Sequence, residues 1–130
     1  IGGNIGHPLL AEAGKMKEED YAVLELSSFQ LLTMHKSPEI AVVTNLAPNH
    51  LNVHKGMEEY VEAKANILRY QSAAQKVILN YDNDLTRAFS QRAPGKTVFF
   101  SRLSGRRRCV FCRRQDFCPE WGLRTAGAFC

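Results

Sequence analysis

Nearly continuous apolar runs recur along the chain: Tyr21-Ala-Val-Leu-Glu-Leu26, Ile40-Ala-Val-Val-Thr-Asn-Leu46, Lys76-Val-Ile-Leu-Asn80 and Thr97-Val-Phe-Phe-Ser101. They are short and rich in β-branched and aromatic residues, which suits strands buried on both faces. The segments between them, Pro8 to Lys17, Ser28 to His35, Met57 to Gln71 and Asp84 to Arg92, predict helices. Strand alternating with helix predicts an α/β fold, a mainly parallel sheet flanked by helices, with ligands gathered at the carboxyl ends of the strands.

The helix over 57–71 carries an anomaly. Its apolar positions Met57, Tyr60, Val61, Ile67 and Leu68 keep the 3.6-residue spacing of a core-facing stripe, and the centre of that stripe is Lys64. A buried ammonium costs several kcal/mol unless it is paired, deprotonated or modified. Lys64 therefore either snorkels from the edge of the stripe to water or is a functional lysine with altered chemistry.

Other chemistry falls where a parallel sheet places its ligands. Glu25 closes the first strand and is followed at once by Ser27, Ser28 and Gln30; His50 follows the second strand in Thr44-Asn-Leu-Ala-Pro-Asn-His50. Taken singly, these are a partly exposed Glu, a loop His and a snorkelling Lys; their convergence points to a metal or phosphate site at the carboxyl edge of one sheet. His50-Leu-Asn-Val-His54 spaces two imidazoles for a helix, yet it lacks the zinc-protease Glu, and Pro48, Asn49 and Asn52 favour a loop. Gly95-Lys96-Thr97 imitates the end of a phosphate loop but leads into a strand, where that loop demands a helix.

Composition divides the chain at about residue 103. The formal net charge is +4, and the whole excess lies in 104–130, where Arg106, Arg107, Arg108, Arg113, Arg114 and Arg124 face only Asp116 and Glu120. All four cysteines, Cys109, Cys112, Cys118 and Cys130, lie there too. A zinc knuckle needs a second close-spaced pair, which is missing, and the arginines with Phe111, Phe117 and Trp121 form no recognisable nucleic-acid module. We expect 1–103 to be one domain and 104–130 an irregular Arg/Cys-rich tail that binds no metal, with composition resembling out-of-frame translation. No apolar stretch is long enough to span a bilayer, and a cytoplasmic protein is expected. The start in Ile1-Gly2-Gly3 without Met suggests a chain that begins within a larger protein. The competing class is a non-catalytic interaction module whose tail binds nucleic acid or zinc.

Gly3-Asn-Ile-Gly6, Leu24-Glu-Leu-Ser-Ser-Phe-Gln-Leu31, Thr44-Asn-Leu-Ala-Pro-Asn-His-Leu51, Glu59-Tyr-Val-Glu-Ala-Lys64 and Asn80-Tyr-Asp-Asn-Asp84 together resemble the central ATP-binding domain of the Mur ligase family. The first two are similar to its D-glutamate-adding members. The resemblance covers about 1–103 and implies an ATP-dependent, amide-bond-forming ligase of peptidoglycan synthesis, supporting cell shape and division. Such an enzyme joins D-glutamate to UDP-N-acetylmuramoyl-L-alanine through an acyl phosphate, with ATP and Mg²⁺ as cofactors. It further implies Glu25, His50 and Lys64 as metal ligands, Lys64 being carbamylated, with Lys64 and His50 catalytic and Asn4, Ser27 and Gln30 contacting the UDP-linked substrate. A cytoplasmic monomer with no membrane or nucleic-acid partner follows. The family's phosphate loop precedes the Gly3–Gly6 segment and is not in these residues, so the chain is expected to be inactive alone.

Overall fold

A computed structural model describes residues 1–47 and 56–103. In chain order it contains strand β1 (Gly2–Gly3), a 3₁₀ helix (Leu9–Lys15), strand β2 (Leu24–Glu25) and helix α1 (Ser28–Leu32). Strand β3 (Ile40–Val43), helix α2 (Met57–Arg69) and strand β4 (Lys76–Asn80) follow. Helix α3 (Asp84–Ala88), a second 3₁₀ turn (Phe89–Gln91) and strand β5 (Lys96–Phe100) complete it. Every ladder is parallel, as the alternation predicts, but there are two sheets among the described residues: β1–β2 and β3–β4–β5.

The first apolar run departs most from expectation. Only Leu24 and Glu25 form a ladder, opposite Gly2 and Gly3, because the partner strand is just as short. Tyr21, Val23 and Leu24 are 87%, 54% and 51% exposed, so no described layer covers this run. Gly3 has φ +120°, and a Cβ there would lie 2.3 Å from the Glu25 carbonyl oxygen; only glycine allows β1 to approach β2 so closely. The expected helix over Pro8–Lys17 is a 3₁₀ helix with no buried residue, since its leucines and alanines form no stripe that a core could hold.

The larger sheet carries the core. Ala41, Val43, Val77 and Leu79 point to its covered face and are buried, whereas Ile40 and Val42 alternate with them at about half exposure. Burial on both faces, expected from the apolar runs, is thus realised on one face by the described residues. That face is covered by α2 and by Phe89, which is 1% exposed. The predicted stripe holds: Tyr60 and Leu68 are in the core cluster, with Met57, Val61 and Ile67 packed against it. Glu58 and Glu59 in the first turn of α2 and Arg69 in the last complement the helix dipole.

The segment after β4 is fastened by short polar side chains. Asn83 caps α3 by accepting from the Thr86 amide at 2.9 Å, and Thr86, fully buried, donates to the Asn80 and Asn83 carbonyls. Gly95 explains the false phosphate-loop signal. A Cβ there would come within 2.6 Å of the Gln75 carbonyl oxygen, to which the Lys96 amide donates at 2.8 Å, so the glycine admits β5 beside β4.

Candidate functional site

The carboxyl end of β2, the start of α1 and the middle of α2 meet. Glu25 ends β2, and its carbonyl accepts from the Asn4 amide at 2.8 Å. Asn4 therefore touches this edge through its backbone. Ser27 and Gln30 form a capping box: the Gln30 side-chain oxygen accepts from the Ser27 amide at 2.8 Å and from its hydroxyl at 3.1 Å, while the Gln30 amide donates to the Ser27 hydroxyl at 3.3 Å. These two residues, expected to bind substrate, thus have a structural task that the Ser-x-x-Gln spacing could have announced.

Lys64 reaches across from α2. Its Nζ donates to the Leu26 carbonyl at 3.2 Å, one residue beyond Glu25. Burial holds its pKa below the ordinary lysine value, and the Glu25 carboxylate pulls it back upward. The stripe anomaly is therefore half resolved by snorkelling: the amine leaves the apolar interior, yet ends against a carbonyl and beside a carboxylate, still partly dehydrated. A lysine in such a place carries more free base than one in water, which makes it a better nucleophile. Glu25 and Lys64 come together, although through a helix meeting the small sheet and not along the edge of one sheet. His50 and His54 lie outside the described residues, as does the whole tail from Ser104 with its cysteines and arginines.

The charge on Lys64 sets a pH dependence. Because its folded pKa is depressed, the unfolded chain binds more protons between that pKa and the ordinary value near 10.5, so this residue's contribution makes stability rise with pH through that window. Removing the neighbouring anion with Glu25→Gln should lower the Lys64 pKa further and extend the window downward. Titration of the Lys64 side-chain carbons by NMR checks this; an unchanged midpoint would mean that the carboxylate does not act on the amine.

Two groups of residues were not singled out as site candidates by sequence reasoning. Asn80 donates to the Thr44 carbonyl at 3.0 Å, and Asn83 donates to the Asn45 side-chain oxygen at 2.8 Å and the Leu46 carbonyl at 2.9 Å, fixing the exit of β3. Asn66 of α2, 7% exposed, donates to the Leu31 carbonyl at 2.8 Å. An asparagine in a helix carries no signal of its own in periodicity. The Asn80–Asp84 motif does, and Asp82 within it accepts from the buried Ser101 hydroxyl and the Arg102 amide, which lowers its pKa. No helix of the described residues is long and apolar enough to cross a membrane.

Comparison with known proteins gives a consistent likeness. The family model described as the Mur ligase middle domain matches residues 2–111. The UDP-N-acetylmuramoylalanine–D-glutamate ligase of Acetivibrio thermocellus is 63% identical over 102 residues, covering 78% of this chain and 22% of that protein. The protein of the same name from Ruminiclostridium cellulolyticum is 50% identical over 104 residues, covering 80% and 22%. That from Clostridium kluyveri is 54% identical over 101 residues, covering 78% and 22%. The chain thus spans about a fifth of the length of these curated relatives.

Proposed function

The chain belongs to the Mur ligase family, its matched stretch being the middle domain, and from that premise we propose that it is part of a ligase joining D-glutamate to UDP-N-acetylmuramoyl-L-alanine in peptidoglycan synthesis. The observation that carries the reading is Lys64: a partly buried amine with a lowered pKa, held on the Leu26 carbonyl beside Glu25.

An unmodified ammonium is a poor neighbour for a metal ion. With CO₂, however, the free amine forms a nitrogen–carbon bond and loses a proton, leaving a carbamate of charge −1. Burial favours the neutral amine that this step needs. Carbamate and Glu25 carboxylate together offer the oxygen donors that a hard cation such as Mg²⁺ takes, and we assign Glu25, modified Lys64 and His50 to hold it. In the family reaction ATP supplies the phosphoryl group that activates the substrate carboxylate as an acyl phosphate, and Mg²⁺ offsets the accumulating negative charge. The chain's own residues then have positional tasks. The Ser27–Gln30 box fixes the turn after Glu25 and leaves the Gln30 side-chain nitrogen, Nε2, for an acceptor on the UDP-linked substrate, and Asn4 borders the same edge. We place the protein in the cytoplasm as a monomer, acting on small molecules with no membrane or nucleic-acid partner. The tail on which a nucleic-acid or zinc module would rest lies outside the described residues.

Grafting tests this. Residues 2–103, substituted for the matching stretch of the Acetivibrio thermocellus ligase, should preserve phosphate release that depends on ATP, D-glutamate and the UDP-linked substrate together, and Lys64→Ala in the graft should abolish it. A folded graft that works equally well with Lys64→Ala would sink the assigned role.

A further inference from the structure

Asn66 is a buried amide whose donor and acceptor fare differently. Its nitrogen donates to the Leu31 carbonyl at the end of α1, while its side-chain oxygen is buried with no partner among the described residues. The orientation is fixed by chemistry, because turning the amide over would set its oxygen against the Leu31 oxygen. A lone buried acceptor is a cost that an apolar side chain of similar size avoids. Something other than packing must therefore justify an amide at this position.

The surrounding bonds show what the amide does. Going from 26 to 37 along one segment and from 64 to 70 along the other, the pairings run in the same order: Lys64 to the Leu26 carbonyl, Asn66 to the Leu31 carbonyl, Ser37 hydroxyl to the Asn66 carbonyl, and the Tyr70 amide to the Ser37 hydroxyl. Asn66 takes part in two of these, once by side chain and once by backbone. Its side chain is the buried bond of the series and stands two residues from Lys64 on the same helix. Leu31, 1% exposed, and Ser28, 3% exposed, seat α1 at this junction, and the same α1 begins with the Ser27 cap that directly follows Leu26. A shift of α1 along α2 would thus move the Leu26 carbonyl and Glu25 away from Lys64.

We propose that Asn66 is a positioning residue: its side-chain amide fixes α1 in register against α2 and so sets the reach of Lys64 to the Leu26 carbonyl and Glu25. Its weight for catalysis rests on the reading of Lys64 given above, whereas the geometric claim does not.

The telling variant is Asn66→Leu in the full 130-residue chain. Leucine keeps the volume, favours helix more than asparagine does and removes the unpartnered oxygen, so the melting temperature should hold or rise. If the amide sets the register, nuclear Overhauser contacts from the Lys64 side-chain methylenes to Leu26 and Ser27 should weaken several-fold, while contacts within β3, β4 and β5 stay. Asn66→Ala, which also cannot donate, should lose the same contacts. Thr86→Val, a change of similar size on α3, should keep them. Unchanged Lys64 contacts in a folded Asn66→Leu chain overturn the proposal, as does their absence in the unaltered chain. Uptake of ¹³C-bicarbonate as a carbamate separates the two readings. Register-dependent contacts without any carbamate uphold Asn66 and remove the carbamylated lysine; a carbamate signal lost in Asn66→Leu supports both.

Discussion

Phe89→Ala should destroy cooperative unfolding of the chain. Phe89 is 1% exposed and belongs to the core cluster that α2 and the larger sheet enclose, so truncation removes a full aromatic ring and leaves a cavity. Such changes cost about 3–5 kcal/mol. Native domains have only about 5–15 kcal/mol in hand. Here the margin is expected at the low end, because the described part of the sheet is covered on one face and Ile40 and Val42 on the other are 49% and 48% exposed. Phe89 also starts the 3₁₀ turn after α3, so its loss loosens the return from α3 toward β5. Urea unfolding followed by far-UV circular dichroism is the measurement, with Val42→Thr as the comparison. That change keeps a β-branched side chain on the open face and should shift stability by no more than about 0.5 kcal/mol. If Phe89→Ala unfolds as steeply and as late as the unaltered chain, the core is misplaced.

Much of this arrangement was legible in the sequence because it depends on local period. Lys76–Asn80 forms the strand that its run predicts, β5 lies within one residue of expectation, and the apolar stripe of α2 packs on the core with Lys64 at its partly buried centre. The parts that were not legible depend on partners far away in sequence. Nothing in Gly2–Gly3 announces a strand, since two glycines have no apolar side chains to read, and their pairing with Leu24–Glu25 decides that the small sheet stands apart. The acceptors of Lys64 and Asn66 are backbone carbonyls, which every residue has, so their identity follows only from packing. Ser27 and Gln30 show the reverse: a local signal, the Ser-x-x-Gln spacing of a capping box, is present in the sequence, and the turn it fixes stands beside the substrate contact proposed for Gln30.

The 130-residue chain by itself should give no ligase turnover with ATP, D-glutamate and UDP-N-acetylmuramoyl-L-alanine. Phosphoryl transfer depends on positioning and charge stabilisation, and the β- and γ-phosphates are normally cradled by backbone amides of a glycine-rich loop opening a helix. Among these residues the nearest imitation, Gly95-Lys96-Thr97, enters β5, where the backbone amides are committed to or aligned with a ladder against β4. Magnesium prefers few protein ligands together with substrate phosphates, so the ligands proposed for it, Glu25 and a carbamylated Lys64, would make a weak site without a held nucleotide. The chain also spans only 22% of the length of the Acetivibrio thermocellus ligase, and we expect a whole ligase to draw on the remainder to align an amine with an acyl phosphate. Orientation of that kind is worth as much as about 7–11 kcal/mol of barrier in well-placed reactions. A loss on that scale puts turnover below detection. Phosphate release is assayed with all three substrates and with each omitted, beside a Lys64→Ala chain as background; release above that background, dependent on all three, would show that these residues alone assemble the reacting centre and that the phosphate cradle has been sought in the wrong place.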